Sequence, residues 1–300
     1  MINVGLIGYG KYGKKYFKGI INDKKFKIIK ILRKKNLKSK LFTNNKKKFF
    51  SIKQIDLYII ATPATTHFEY LDIIMKKNKN VIVEKPLVKT KEEFVKFTNN
   101  LKKFKKTILI NHTDLYFKTL IKLKEKIKII GTIKSVILTY GKKDPYFFNN
   151  IKVSSDLPYY EWLSHPLAII NNFFKGFKFT KIIKDKQILK GKLIIQNLKI
   201  ILTGKKFNIK IFFSNNYKHK KRNLIIKGSK GSLVFKGYDN YKGYLLKKNK
   251  KINLTSKSEN PIQNLLDNFK TKLDQKKVKD DRKIICQTTK ELLDISRKIE

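Results

Sequence analysis

The chain has 300 residues, 41% of them hydrophobic, which is enough for two ordinary domains and too many for a disordered chain. No apolar run approaches the roughly 18 residues needed to span a bilayer, and a lone cysteine, Cys286, excludes an internal disulfide or a cysteine-rich metal site and fits a reducing cytoplasm. The net charge of +49 invites a nucleic-acid reading. Only four of the 71 basic residues are arginine, however, and the lysines run along the whole chain, so A/T-rich codon usage explains the charge better than a phosphate-reading surface.

The first 110 residues alternate between strand and helix patterns. Ile2–Ile7 is a short apolar strand at the very start, where a signal peptide would otherwise stand. Lys11–Ile21 follows as a helix, with Tyr12, Tyr16, Phe17 and Ile20 at helical spacing. Phe26–Leu32 and residues 56–61 are further strands, the latter ending in Thr62-Pro63. Residues 66–77 read as a helix, and residues 81–83 as a strand ending in Glu84-Lys85-Pro86. Thr90 and Glu93 form a capping box that opens a helix over 90–104, and residues 107–110 are one more strand. Repeated βα units imply a parallel sheet with helices on both faces.

After residue 113 the rhythm changes. A helix over 114–126 leads into a strand over 132–140, a loop over 141–158 rich in turn-forming residues, and a helix over 162–174. Several strands with short turns, such as Gly228-Ser229-Lys230-Gly231, fill residues 179–246 and read as antiparallel sheet. Two helices, over 261–273 and Asp280–Ile299, close the chain. The expected architecture is α/β: a Rossmann domain over 1–112, then an α+β domain over 113–300 for substrate binding and oligomerisation, with a largely antiparallel sheet.

Gly8-Tyr9-Gly10-Lys11-Tyr12-Gly13 is a GxGxxG motif between a strand and a helix, the context that dinucleotide binding requires. Gly8 permits the tight turn, Gly10 lets the backbone approach a pyrophosphate, and Gly13 lets the helix pack on the strand. The helix N-terminus adds unpaired N–H groups and roughly half a positive charge. NAD-binding domains usually place an acid about 20 residues further on, against the ribose 2′-hydroxyl. No Asp or Glu occurs over residues 24–55, and Arg33 stands at that distance instead. Arg33 suits a 2′-phosphate, so NADP is slightly favoured over NAD.

With this loop, four further segments resemble the Gfo/Idh/MocA family, which includes glucose–fructose oxidoreductase and inositol dehydrogenase. Residues 56–69 resemble its strand, Thr-Pro turn and His-bearing helix start. Glu84-Lys85-Pro86 matches its EKP motif, and His112-Thr113-Asp114-Leu115-Tyr116 resembles the HTxLY segment of one branch. Glu161-Trp162-Leu163-Ser164-His165 falls where the family carries an acid four residues before a histidine. Three of the four histidines, His67, His112 and His165, lie in these segments. Two departures stand out: the acid is Glu161 where the family has Asp, and Ala168 replaces a usual Asp three residues after the histidine.

The resemblance implies hydride transfer between nicotinamide and a sugar or polyol hydroxyl or keto group. It gives His165 the general acid/base role, Lys85 the reacting oxygen, and Glu161 the orientation of the imidazole. Cofactor contacts are expected at Thr62, Pro63, His67, Glu84, Lys85 and His112 besides the glycine loop and Arg33. No metal is expected. The substrate would be a small sugar-type molecule, anionic or nucleotide-activated, of the kind destined for surface polysaccharides. A homo-oligomer without membrane or nucleic-acid partners is expected. The competing reading is a non-catalytic regulatory protein of the same fold that binds a dinucleotide or sugar.

Overall fold

Every strand pattern in the first 111 residues forms a strand, and all of them run parallel. The computed structural model describes residues 1–35, 39–141, 158–189, 192–214, 217–248, 250–275 and 280–299. Its contacts divide the chain into two units: Met1–Thr113 with Ile262–Leu293, and Asp114–Pro261 with Asp294–Glu300.

The first unit holds β1 (Ile2–Ile7), α1 (Lys11–Ile21), β2 (Phe26–Leu32), β3 (Phe42–Thr43), α2 (Lys46–Phe50), β4 (Leu57–Ile60), α3 (His67–Lys76), β5 (Asn80–Glu84), α4 (Lys91–Lys103) and β6 (Ile108–Asn111). The sheet order is β3-β2-β1-β4-β5-β6. Near-continuous apolar runs such as Leu57–Ile60 and Ile108–Asn111 are buried throughout, as strands covered on both faces must be. Because all six strands are parallel, their carboxyl ends share one edge. Order reverses between β1 and β4, the switch point where such sheets bind ligands. The capping box forms as read: the Thr90 hydroxyl accepts from the Glu93 N–H while the Glu93 side chain reaches back to the cap. The sequence reading has no counterpart for β3 or α2. α2 spans five residues, too few to show a period, and starts where Asn45 accepts from the Lys48 N–H.

The second unit begins with a short 3₁₀ turn that ends at Tyr116, followed by α5 (Lys118–Glu125). The expected single helix over 114–126 is thus two pieces. Next come β7 (Ile133–Gly141), α6 (Pro158–Phe173), β8 (Lys178–Leu189), β9 (Lys192–Thr203), β10 (Asn208–Ser214), β11 (Lys221–Gly228), β12 (Ser232–Lys236), β13 (Lys242–Lys247) and β14 (Lys250–Asn253). These strands form one sheet in the order β14-β13-β12-β11-β7-β10-β9-β8. Only the β7–β10 pair is parallel. Val136, Leu138 and Tyr140 alternate inward on β7 beside Leu224 and Ile226 on β11. The loop expected over 141–158 falls almost entirely outside the described residues.

α7 (Pro261–Asp274) and α8 (Asp280–Ile299) complete the chain. The sequence reading assigns all of 113–300 to the second domain, but residues 262–293 cluster with the first unit. Phe269 of α7 lies against Phe26 of β2, ring centroids 6.5 Å apart, and Asp267 pairs with Lys25 at 2.7 Å. Arg282 of α8 donates to the carbonyls of Leu101 and Phe104 at the C-terminal end of α4, where a cation is favoured. An amphipathic stripe says that a helix is buried on one side, not which body buries it.

Candidate active site

Four turns of the first unit follow strands that end at the carboxyl edge of its sheet. The glycine loop follows β1, Thr62-Pro63 follows β4, Lys85-Pro86 follows β5, and His112 follows β6. The three glycines of the loop meet different surroundings. Gly8 has φ +94°, and a Cβ there would lie 2.5 Å from the Ala61 carbonyl oxygen. A Cβ on Gly13 would lie 2.2 Å from the Gly8 oxygen. A Cβ on Gly10 would meet nothing within 4 Å. The backbone at Gly10 therefore borders open space, at the N-cap of α1, where no side chain caps the helix. Such a cradle fits a pyrophosphate. Tyr9 packs edge-on against Phe17 and Phe42, while Lys11 and Tyr12 are exposed. Arg33 follows β2, half-buried, its N–H bonded to the Thr43 carbonyl at 3.0 Å.

His67 ties two of these turns together. Its ring is buried, with Nδ1 2.7 Å from the Pro86 carbonyl oxygen and Nε2 2.9 Å from that of Thr62. Both partners can only accept, so the doubly protonated imidazole satisfies both contacts and the neutral ring only one. This histidine, expected among the cofactor contacts, spends both nitrogens on backbone. The Lys85–Pro86 peptide between β5 and α4 is cis.

Glu84 is also turned inward. Its Oε1 accepts from the Tyr16 hydroxyl at 3.0 Å and the Asn111 amide at 2.7 Å. Burial pushes its carboxyl from 4.5 up to about 7, against the pull of those hydrogen bonds and of Lys85. The folded value lies above the unfolded one, so the native state holds more protons between them. The group's contribution to stability is full below about pH 4.5 and is lost as pH rises through 7. Over that window the protein is expected to lose on the order of 3 kcal/mol from this group. In Glu84→Gln the amide oxygen can accept the same two bonds, and this slope should vanish. Urea unfolding of both proteins at pH 5 and pH 8 measures it; an identical pH dependence in the two would refute the assignment.

His112 is the converse case. It is buried, and neither ring nitrogen has a hydrogen-bond partner among the described residues. Burial, and then the nearby Lys85 charge, lower it from 6.5 to about 3, so the ring is neutral at physiological pH. A neutral imidazole offers one donor and one acceptor. Two such groups buried without partners are costly unless a ligand meets them. The open Gly10 cradle and the unsatisfied His112 both fit a dinucleotide.

In the second unit, His165 lies in α6, its side chain 7% exposed. Its Nδ1 is 3.7 Å from Oδ1 of Asp114, a fully buried carboxylate on the turn before α5. Asp114 is held from two more sides: the Arg222 guanidinium is 3.0 Å from the same oxygen, and the Tyr140 hydroxyl donates to Oδ2 at 2.6 Å. Arg222 on β11 and Tyr140 on β7 are direct cross-strand partners. Burial, and then the Asp114 charge, push the Tyr140 phenol well above its usual range, so it acts as a neutral donor. Sequence reasoning quoted Asp114 only as part of a motif and missed Arg222 and Tyr140. Four separated segments meet here, and no local spacing announces it. Glu161 stands one turn before His165 in α6, with its side chain outside the described residues. Ala168 is fully buried.

A parallel sheet in this order, with a glycine loop at its switch point, defines a dinucleotide-binding domain. Residues 2–112 match the family model described as oxidoreductase family, NAD-binding Rossmann fold. Over those residues the chain is similar to the Gfo/Idh/MocA oxidoreductases that the model describes. No curated protein matches the chain. Among solved structures, a protein of Desulfitobacterium hafniense DCB-2 assigned as an NADPH-dependent oxidoreductase is similar in fold, with a TM-score of 0.86 and 12% identity over 99% of this chain and 95% of that one. KijD10, a 3-ketoreductase from Actinomadura kijaniata in complex with TDP-benzene and NADP, gives a TM-score of 0.79 and 13% identity over 99% and 96%. Biliverdin reductase from Synechocystis sp. PCC 6803, in complex with biliverdin and NADP+, gives 0.75 and 14% over 99% and 98%. Among the described residues, no helix is long and apolar enough to cross a membrane.

Proposed function

We propose that the chain is a cytoplasmic NAD(P)-dependent oxidoreductase acting on a hydroxyl or keto group of a sugar or sugar derivative, in the supply of surface-polysaccharide sugars. The observation that carries this reading is the edge of the first unit's sheet, where the open glycine loop, Lys85 and the unsatisfied His112 all follow strand ends. The glycine loop and His112 would hold the dinucleotide, with Thr62 and Pro63 beside them and His67 and Glu84 fixing the turns. When bound, its nicotinamide supplies hydride chemistry. Lys85 donates a hydrogen bond to the reacting oxygen and stabilises negative charge developing on it. His165 takes the hydroxyl proton on an imidazole nitrogen during oxidation and returns it during reduction. The 3-ketoreductase activity of a protein with this fold, crystallised with a TDP compound and NADP, supports a nucleotide-activated sugar as substrate. A homo-oligomer is the proposed assembly.

The test is one screen. Purified protein is incubated with NADPH or NADH and a panel of sugars, sugar acids and nucleotide sugars, following absorbance of the reduced cofactor. Turnover with a nucleotide sugar is expected. Cofactor binding without turnover across the panel would favour the regulatory binding protein instead.

Cofactor choice is expected to follow Arg33. A charge-assisted hydrogen bond to a 2′-phosphate contributes about 1.5–3 kcal/mol, or roughly 10- to 150-fold in affinity. NADP(H) should bind at least as well as NAD(H), and Arg33→Asp should reverse the order, chiefly by weakening NADP(H). Calorimetric Kd values for both cofactors decide it. A clear NAD(H) preference that Arg33→Asp leaves unchanged would make Arg33 mere surface charge.

A further inference from the structure

We infer that Asp114 is the carboxylate that positions His165 and sets its charge, with Arg222 and Tyr140 fixing Asp114 in place. The inference rests on the proposed acid/base role of His165 and assigns to Asp114 the task expected of Glu161.

The argument is geometric. Nδ1 of His165 faces Asp114 Oδ1 at 3.7 Å, within ion-pair reach though longer than a hydrogen bond. Nδ1 and Nε2 lie on opposite sides of an imidazole, so a carboxylate on the first directs the second away from it, and proton exchange with substrate falls to Nε2. Both side chains are buried, where water screens their interaction least. Asp114 cannot swing away. Its Oδ2 is bonded to Tyr140 and its Oδ1 is paired with Arg222, and those two residues are registered against each other across the β7–β11 pair. The Arg222 guanidinium is itself held over the Tyr238 ring, 5.0 Å from the centroid, with Phe117 on another side at 6.0 Å. Among the described residues, the groups facing His165 and its carboxylate include Asp114 from the turn before α5, Tyr140 from β7, and Arg222 from β11 with Tyr238 behind it.

This arrangement makes opposite predictions for the two charges. An anion near an imidazole favours the protonated ring and a cation disfavours it. The readout is the titration of the His165 ring by ¹H–¹³C NMR on the full-length protein, assigned with His165→Gln; the chain has only four histidines. Asp114→Asn should lower the His165 midpoint by about one pH unit or more, the usual effect of losing an opposite charge at this range. Arg222→Met should raise it. Glu161→Gln should move it less than Asp114→Asn does. If either single variant fails to fold, the double variant Asp114→Asn/Arg222→Met removes both partners of the buried pair, a change such sites often tolerate. Its midpoint should lie above that of Asp114→Asn, or below that of Arg222→Met, whichever single variant folds. An unchanged midpoint in Asp114→Asn, shifts of one sign in both single variants, or a larger shift in Glu161→Gln would each overturn the inference. The titration needs no substrate. If the sugar screen finds no turnover, the proposed function fails while this inference still stands or falls on its own measurement. If turnover is found, the acidic limb of kcat/KM should move with the His165 midpoint.

Discussion

Lys85→Ala and His165→Ala are each expected to lower kcat by about 10²-fold or more, with a smaller effect on dinucleotide affinity. The reasons differ. In the proposed mechanism Lys85 would offer a cation where negative charge grows on the reacting oxygen, an interaction stronger in the transition state than in the ground state. Its charge also contributes to keeping the buried His112 ring neutral. In the same mechanism His165 would supply positioned proton transfer, which typically contributes about 10²–10⁴-fold. Single-turnover kinetics with saturating cofactor separates these losses from binding. Near-normal turnover in either variant would remove that residue from the mechanism.

Gly10→Val is expected to abolish dinucleotide binding while leaving the fold intact. The structure separates this glycine from its neighbours. A side chain at Gly10 enters open space, and the residue's φ of −78° and ψ of −159° are ordinary extended backbone. Its thermal stability should stay within about 0.5 kcal/mol of the parent. Gly13→Ala serves as the contrasting control, since its Cβ would strike the Gly8 carbonyl; overpacking of that kind costs about 1–3 kcal/mol. Calorimetry with NADPH beside a denaturation curve distinguishes the two cases. Unchanged affinity in a folded Gly10→Val protein would show that the loop does not hold the pyrophosphate.

Much of the first unit was legible because its signals are local. Buried parallel strands are short apolar runs punctuated by Gly, Pro or a polar turn, and helices between them carry a 3.6-residue period. The glycine loop, the Thr90 capping box and the Glu84-Lys85-Pro86 turn each occupy a few adjacent residues. The inward roles of His67 and Glu84 were not legible. Sequence spacing puts them near the ligand edge, but only the packed structure shows which polar atoms the protein itself satisfies. The Asp114, Tyr140 and Arg222 cluster was hidden for a related reason. Its members come from a turn and two strands, and sheet register rather than spacing brings them together.

The return of residues 262–293 to the first unit has a consequence for protein engineering. The nucleotide-binding body is assembled from two stretches of chain separated by residues 114–261 of the second unit. It cannot be lifted out as an N-terminal fragment. A segment cut at residue 113 would leave Phe26 without Phe269, and the last carbonyls of α4 without Arg282. A chimera that transplants cofactor preference into this scaffold must therefore carry two crossover points, and recombination between relatives at a single junction would pair half of one body with half of another.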